Sequence, residues 1–237
     1  MVVPKTLAFE MNPDETVDDI PDYYKLLEWT AAETRELTEQ QLDYDDLSPE
    51  KEWMWWSCRR QVSHMCWDAL VFPKKRCGAL LWPDQDPPNI IDWPSHQFGK
   101  RAKFDRVLDE DLFWALPTLL LKLEVGISWL DRVMTENDGK DLRLMLETVT
   151  ASAFWKYVIS TLPRGARFNE ENKTITYTLE ASLWMVFYEI LSHIRSIQRL
   201  KSHQGLSPVI ELPKVGYLTL PYYWGDTNDN GPSQDRL

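Results

Sequence analysis

The chain contains four histidines, His64, His96, His193 and His203, and any imidazole chemistry must be assembled from them. Glu189 and His193 are four residues apart in a helical run from Leu179 to Ser202. That spacing puts both side chains on one side of a helix, one turn apart. They sit at the edge of the apolar stripe Leu183, Phe187, Ile190, Ile194, Ile197 and Lys201. A carboxylate and an imidazole converging there suit a divalent metal, because helical bundles build metal sites from inward side chains on facing helices. The same pair also fits a solvated contact with no ligand. His64 shares a stripe with Trp67 and Val71, while Cys58, Val62, Met65 and Ala69 form a second one. A helix apolar on more than one side turns His64 toward neighbours rather than water, as a ligand or as a buried, hydrogen-bonded histidine.

Other side chains offer less. Asp68, one turn beyond His64, reads as a surface carboxylate, or else as a group orienting a ligand. His96 reads as an exposed loop residue, or else as an acid or base reaching over the site. His203 reads as a solvated charge at a helix C-terminus. Trp53, Trp55, Trp56 and Trp67 read as core rather than as a stacking platform. Cys58 and Cys66 lie in an apolar stretch and read as inert core thiols. Three cysteines (Cys77 is the third) with no CxxC pair point to a reducing, cytoplasmic setting rather than a disulfide framework. The chain has no glycine-rich phosphate loop, no GxSxG and no HExxH.

The elements that must position these groups are mostly helical. The 237 residues fit one large domain or two small ones, long enough for a core without disulfides. Residues 1–15 read as an extended arm without the apolar segment of a signal peptide. Residues 16–208 read as a single helical domain. A first helix is expected from Thr16 to Leu42, and a second from a cap at Ser48 or Ser57 to about Val71. Residues 73–103, rich in Pro and Trp, read as an irregular insertion packed on the body. Asp109-Glu110-Asp111 opens a third helix, in which Pro117 is either a kink or part of the first turns. Leu142 to Leu162 reads as a fourth helix and Pro163 to Lys173 as a loop. Ile175 to Thr178 reads as a short strand or the entry to the last helix, which Gly205 stops. Residues 209–237 form a tail that packs down at first and ends in a polar, disordered stretch.

Charge restricts the partners. The formal net charge is −11, which argues against a nucleic-acid binder and against attraction to an anionic membrane surface. Arg59-Arg60, Lys74-Lys75-Arg76 and Lys100-Arg101 read as solvated faces. The apolar run Leu112 to Ile127, broken by Pro117, Lys122 and Glu124, falls short of the ~20 residues of a membrane span.

Two segments carry a family resemblance. The run from Trp56-Ser57 to His64-Met65-Cys66 resembles the second helix of the DinB/YfiT-like superfamily, in which a Trp-Ser start leads to a metal-binding His. Glu189 to His193, then Gln198 and Gly205-Leu206-Ser207-Pro208, resemble that family's last helix, normally HxxxH, a Gln, and a Gly-Leu-x-Pro exit. Leu37-Thr-Glu-Gln-Gln to Leu47-Ser-Pro resembles the first-to-second helix connection. The likeness covers residues 16–72 and 179–208, but little of the middle.

The resemblance implies an all-α fold: a four-helix bundle with a long crossover between its second and third helices, here with extra elaborations and an extended tail. It implies a divalent metal, zinc, nickel or iron, held by His64, Glu189 and His193, and a homodimer. Glu189 departs from the usual histidine, although the related mycothiol-dependent maleylpyruvate isomerases use a His-Glu-His set. Likeness to these enzymes and to bacillithiol transferases implies a low-molecular-weight thiol and a small electrophilic substrate. Two other readings stay open: a metal-free interaction or ligand-binding module, and a structural metal protein without turnover.

Overall fold

A computed structural model describes residues 22–48, 53–72, 106–137, 142–143, 146–150, 154–162, 164–220 and 223. The expected arm at 1–15, the whole insertion at 73–103 with His96 and Cys77, and the end of the tail lie outside the described residues. The elements in chain order are α1 (Tyr23–Thr34), α2 (Glu39–Leu42), α3 (Cys58–Phe72), α4 (Leu116–Glu136), β1 (Leu146–Thr150), α5 (Phe154–Ile159), β2 (Ala166–Asn169), β3 (Thr174–Thr178) and α6 (Leu179–His203). A 3-10 turn, Gly216–Thr219, follows.

Local chemistry sets the boundaries. The expected first helix ends early, at Thr34, because Thr38 and Gln41 form a capping box that starts α2 afresh. Ser57, not Ser48, caps α3, its hydroxyl accepting from the Arg60 N–H at 3.3 Å. Asp109 to Asp111 do not open a helix. They close a turn in which the Leu112 N–H bonds the Asp109 carbonyl, and α4 begins at Leu116 with Pro117 in its first turn. The last helix ends as expected. Gly205 takes φ +77°, and the Leu206 and Gly205 N–H groups close on the Lys201 and Ser202 carbonyls.

Helix α3 packs on α4 and α6, and α1 packs on the same two, so four helices surround one core with α1 diagonal to α3. Gly126 of α4 permits a close approach to α3: a Cβ there would lie 2.6 Å from the Ala69 Cβ. Arg59 and Arg60 are not a solvated face. Both are buried beside the Trp114 ring, Arg59 paired with Glu39 and Asp43 and Arg60 with Asp45 and Glu110. They tie the start of α3 to α2 and to the turn before α4.

The expected all-α fold needs correction. The structure is mostly helical but includes a three-stranded antiparallel sheet of order β1-β3-β2. The expected helix from Leu142 to Leu162 contains β1 and only the short α5, because Thr148-Val149-Thr150 is β-branched and pairs with β3. The expected loop from Pro163 to Lys173 contains β2. Strand β3 alternates cleanly, with Ile175 and Tyr177 inward on a small second cluster with Ala181 and Met185. It runs directly into α6 at Thr178, whose hydroxyl accepts from the Ala181 N–H. Among the described residues no helix is long and apolar enough to cross a membrane.

A buried ion pair closes the bundle. Glu33 of α1 is paired with Lys201 of α6 at 2.5 Å, and neither side chain reaches solvent appreciably. Glu33 Oε1 also accepts from Gln198 Nε2 at 2.8 Å and from the N–H groups of Val209 and Ile210 at 2.9 and 3.0 Å. The first part of the tail is thereby held down, with Leu212, Tyr217 and Leu218 buried. Burial alone would raise the Glu33 carboxyl, but Lys201, Gln198 and the two backbone donors hold it below its ordinary 4.5. A lowered folded-state pKa contributes stability above the unfolded value and loses it as pH falls through the folded one. Wild-type urea midpoints should therefore fall as pH drops below 4.5. Lys201→Met should cost about 3–5 kcal/mol at neutral pH by stranding a buried carboxylate. That deficit should narrow in acid, as the stranded carboxyl protonates.

Candidate metal centre

Helices α3 and α6 each place two polar side chains one turn apart on the faces by which they pack together. Helix α3 supplies His64 and Asp68, and α6 supplies Glu189 and His193. One ligand atom from each of the four lies within 4.8 Å of all the others. His64 Nε2 is 3.1 Å from Asp68 Oδ2, and His193 Nε2 is 3.5 Å from Glu189 Oε1. Donors around a tetrahedral metal with bonds of about 2.0–2.1 Å sit roughly 3.4 Å apart, so both spacings suit a shared ion. His64, Asp68 and His193 are buried. The Glu189 side chain is 29% exposed and marks the side open to solvent.

Both rings are fixed from behind. His64 Nδ1–H donates to the Arg106 carbonyl at 2.6 Å. His193 Nδ1–H donates to Gln61 Oε1 at 2.5 Å, and the Gln61 amide in turn donates to the Trp56 carbonyl. These bonds leave each Nε2 pointing into the cluster, the arrangement by which proteins orient metal-ligating histidines. Arg106 is held at φ +63°, a left-handed conformation costing a non-glycine residue about 1–2 kcal/mol. The His64 bond and the bond from the Leu108 N–H to Ser63 Oγ hold that segment against α3. Trp56 stacks on His193 at 5.9 Å, and Trp67 lies parallel to His64 at 6.0 Å. These two tryptophans wall the cluster, whereas Trp53 lies under Arg199 and Trp55 bonds the Ser48 carbonyl.

Two atoms of the cluster, Asp68 Oδ2 and His193 Nε2, are buried without a hydrogen bond. Such atoms are costly unless something positive or polar sits between them. With its Nδ1 proton committed to Arg106, a neutral His64 would turn its Nε2 lone pair on Asp68 Oδ2. Positive charge relieves this clash, carried either by a second proton on His64 or by a cation. Burial opposes the proton on His64, yet Asp68 outweighs burial and raises its pKa above 6.5. Burial and the His64 charge lower His193 and keep it neutral. Glu189, despite burial, is held below 4.5 by His193, His64 and Arg106. The donor set of two imidazoles and two carboxylates fits zinc, iron or nickel.

The structure thus brings His64, Glu189 and His193 together and adds Asp68, which is buried beside His64 rather than a surface carboxylate. Its signal was in the sequence, since His64 and Asp68 have the same four-residue spacing as Glu189 and His193. Gln61 and Arg106 carried no comparable signal. His203 is exposed, with its ring near Tyr44 and Trp53. Cys58 and Cys66 are buried free thiols, and burial pushes Cys58 up to about 12 and raises Cys66 further. No family model, curated protein or solved structure matches the chain.

Gln61→Leu removes the acceptor that aims His193 while leaving all four donors in place. Zinc affinity, measured by competition with a chelating dye, should weaken about 10–100-fold with helical content unchanged.

Proposed function

We propose that this chain is a DinB/YfiT-like bundle that binds one divalent transition metal through His64, Glu189 and His193, and that it transfers a low-molecular-weight thiol to a small electrophile. The observation that carries the metal reading is the orphaned, buried His193 Nε2 facing Asp68 Oδ2 across a cluster with both imidazoles already oriented. Three protein donors leave a coordination position open, as catalytic sites do. A cation held there by His64, Glu189 and His193 would supply Lewis acidity to a thiol. Asp68, buried beside His64 and in this reading a base rather than a ligand, would take up the thiol proton on Oδ2. Trp56 and Trp67 keep water from the two imidazoles, and the exposed edge of Glu189 is where the thiol and electrophile enter. The resemblance, not the geometry, supplies the thiol and the electrophile.

A metal-free module is the rival reading, favoured by the pairing of each imidazole with its own carboxylate, which lets the cluster balance its charge without a cation. Plasma mass spectrometry on protein purified without a histidine tag or chelator separates the two. We expect about one transition metal per chain in the wild type and none in His193→Ala. Absence of metal after incubation with zinc, nickel, iron and manganese would favour the module. With metal loaded, thiols are screened against electrophiles, and Asp68→Asn should lower turnover while keeping the metal.

A further inference from the structure

A groove separate from the metal cluster lies where α6 meets α1 and the tail. Its volume is about 930 Å³, and none of the four cluster residues lines it. Ligand sites are typically ~300–1,000 Å³. Helix α1 contributes Lys25 and Trp29, one turn apart on the same face. Helix α6 contributes Arg195 and Gln198. Gln198 is buried and forms a fixed floor, its amide donating to Glu33 Oε1 at 2.8 Å and to the Ile210 carbonyl at 2.9 Å. Arg195 is held beside it, donating to Gln198 Oε1 at 3.3 Å and to the Tyr223 carbonyl at 3.1 Å. The tail forms the other wall, which Pro208 and Pro213 stiffen. In that wall Glu211 and Leu212 belong to no helix or strand, and among the described residues they make no backbone–backbone hydrogen bond.

Charge selects the occupant. The chain carries a formal net charge of −11, yet Lys25, Arg195 and Lys214 line the groove against a single acid, Glu211. Asp22 is 4.0 Å from Lys25, at an exposed rim where such a pair is weak. A cationic groove on an acidic protein draws an anionic partner there and repels it elsewhere. The half-buried Trp29 offers a ring for an apolar side chain to cover. The main chain at Glu211 and Leu212 supplies donors and acceptors for an extended backbone. We propose that the groove binds an extended acidic segment of a partner protein. Its carboxylates meet Lys25, Arg195 and Lys214, and its apolar side chains cover Trp29. This interaction does not depend on the metal.

The test uses the full chain and a fluorescein-labelled random copolymer of glutamate and tyrosine, followed by fluorescence anisotropy. We expect the copolymer to bind the wild type and to weaken as sodium chloride is added. Lys25→Glu with Lys214→Glu should raise its dissociation constant about tenfold or more. Lys156→Glu with Lys173→Glu changes the net charge equally, on the sheet, and should leave the constant within about twofold. All four lysines are exposed, so both double variants keep the fold. Failure of the copolymer to bind the wild type overturns the inference. Equal weakening in the two double variants also overturns it, by showing net charge alone at work. Displacement by inorganic polyphosphate as effective as displacement by unlabelled copolymer overturns it too, because polyphosphate has neither apolar side chains nor a peptide backbone.

Discussion

A single buried carboxylate organises the helical body. Glu33 is surrounded by apolar packing, and a carboxylate so placed must receive donors on nearly all its lone pairs or the fold loses several kcal/mol. It receives them from Lys201 and Gln198 of α6 and from the backbone at Val209 and Ile210. The axial and rotational setting of α6 against α1 is therefore fixed by charge as well as by shape. The chain leaving α6 is fixed at the same point, and it carries Tyr217 back along the helix.

That setting determines what α6 presents to α3. Once Lys201 and Gln198 face Glu33, Glu189 and His193 lie two to three turns earlier on the same helix, facing the polar edge of α3. There the packing is of a different kind. At the core, apolar surfaces meet and no charge is required. At the cluster, lone pairs meet, and the bonds that Gln61 and Arg106 accept prevent the rings from flipping to avoid one another. Positive charge relieves that repulsion, carried by a second proton on His64 or by a cation. The buried thiols of Cys58 and Cys66 belong to the apolar part and stay protonated.

How much of this was legible in the sequence depends on whether the signal was local. The stripes of α3 and α6 and the glycine stop after α6 are local and legible, whereas the choice of Ser57 over Ser48 as the α3 cap is made only by the bond from the Arg60 N–H. The Glu189–His193 pair is local too. The meeting of that pair with His64 is not, and only the family resemblance suggested it. The sheet was misread because Thr148-Val149-Thr150 is decided by its partner β3, almost thirty residues away. Arg59 and Arg60 look like any exposed basic pair until Trp114, Glu110 and the acids around α2 close over them. Lys201 was legible as the end of a stripe, but its partner Glu33 was not.

The cluster draws its donors from two helices about 120 residues apart in the chain. An ion held across them would act as a removable cross-link closing a very long loop, including the α4 helix and the whole sheet. In an unfolded chain such a loop is entropically expensive to close, and the cost rises only slowly with its length. The intervening sequence can therefore lengthen or shorten with little thermodynamic effect on the joint between α3 and α6. It is a joint that tolerates large insertions between its halves, provided that each helix keeps its own four-residue pair.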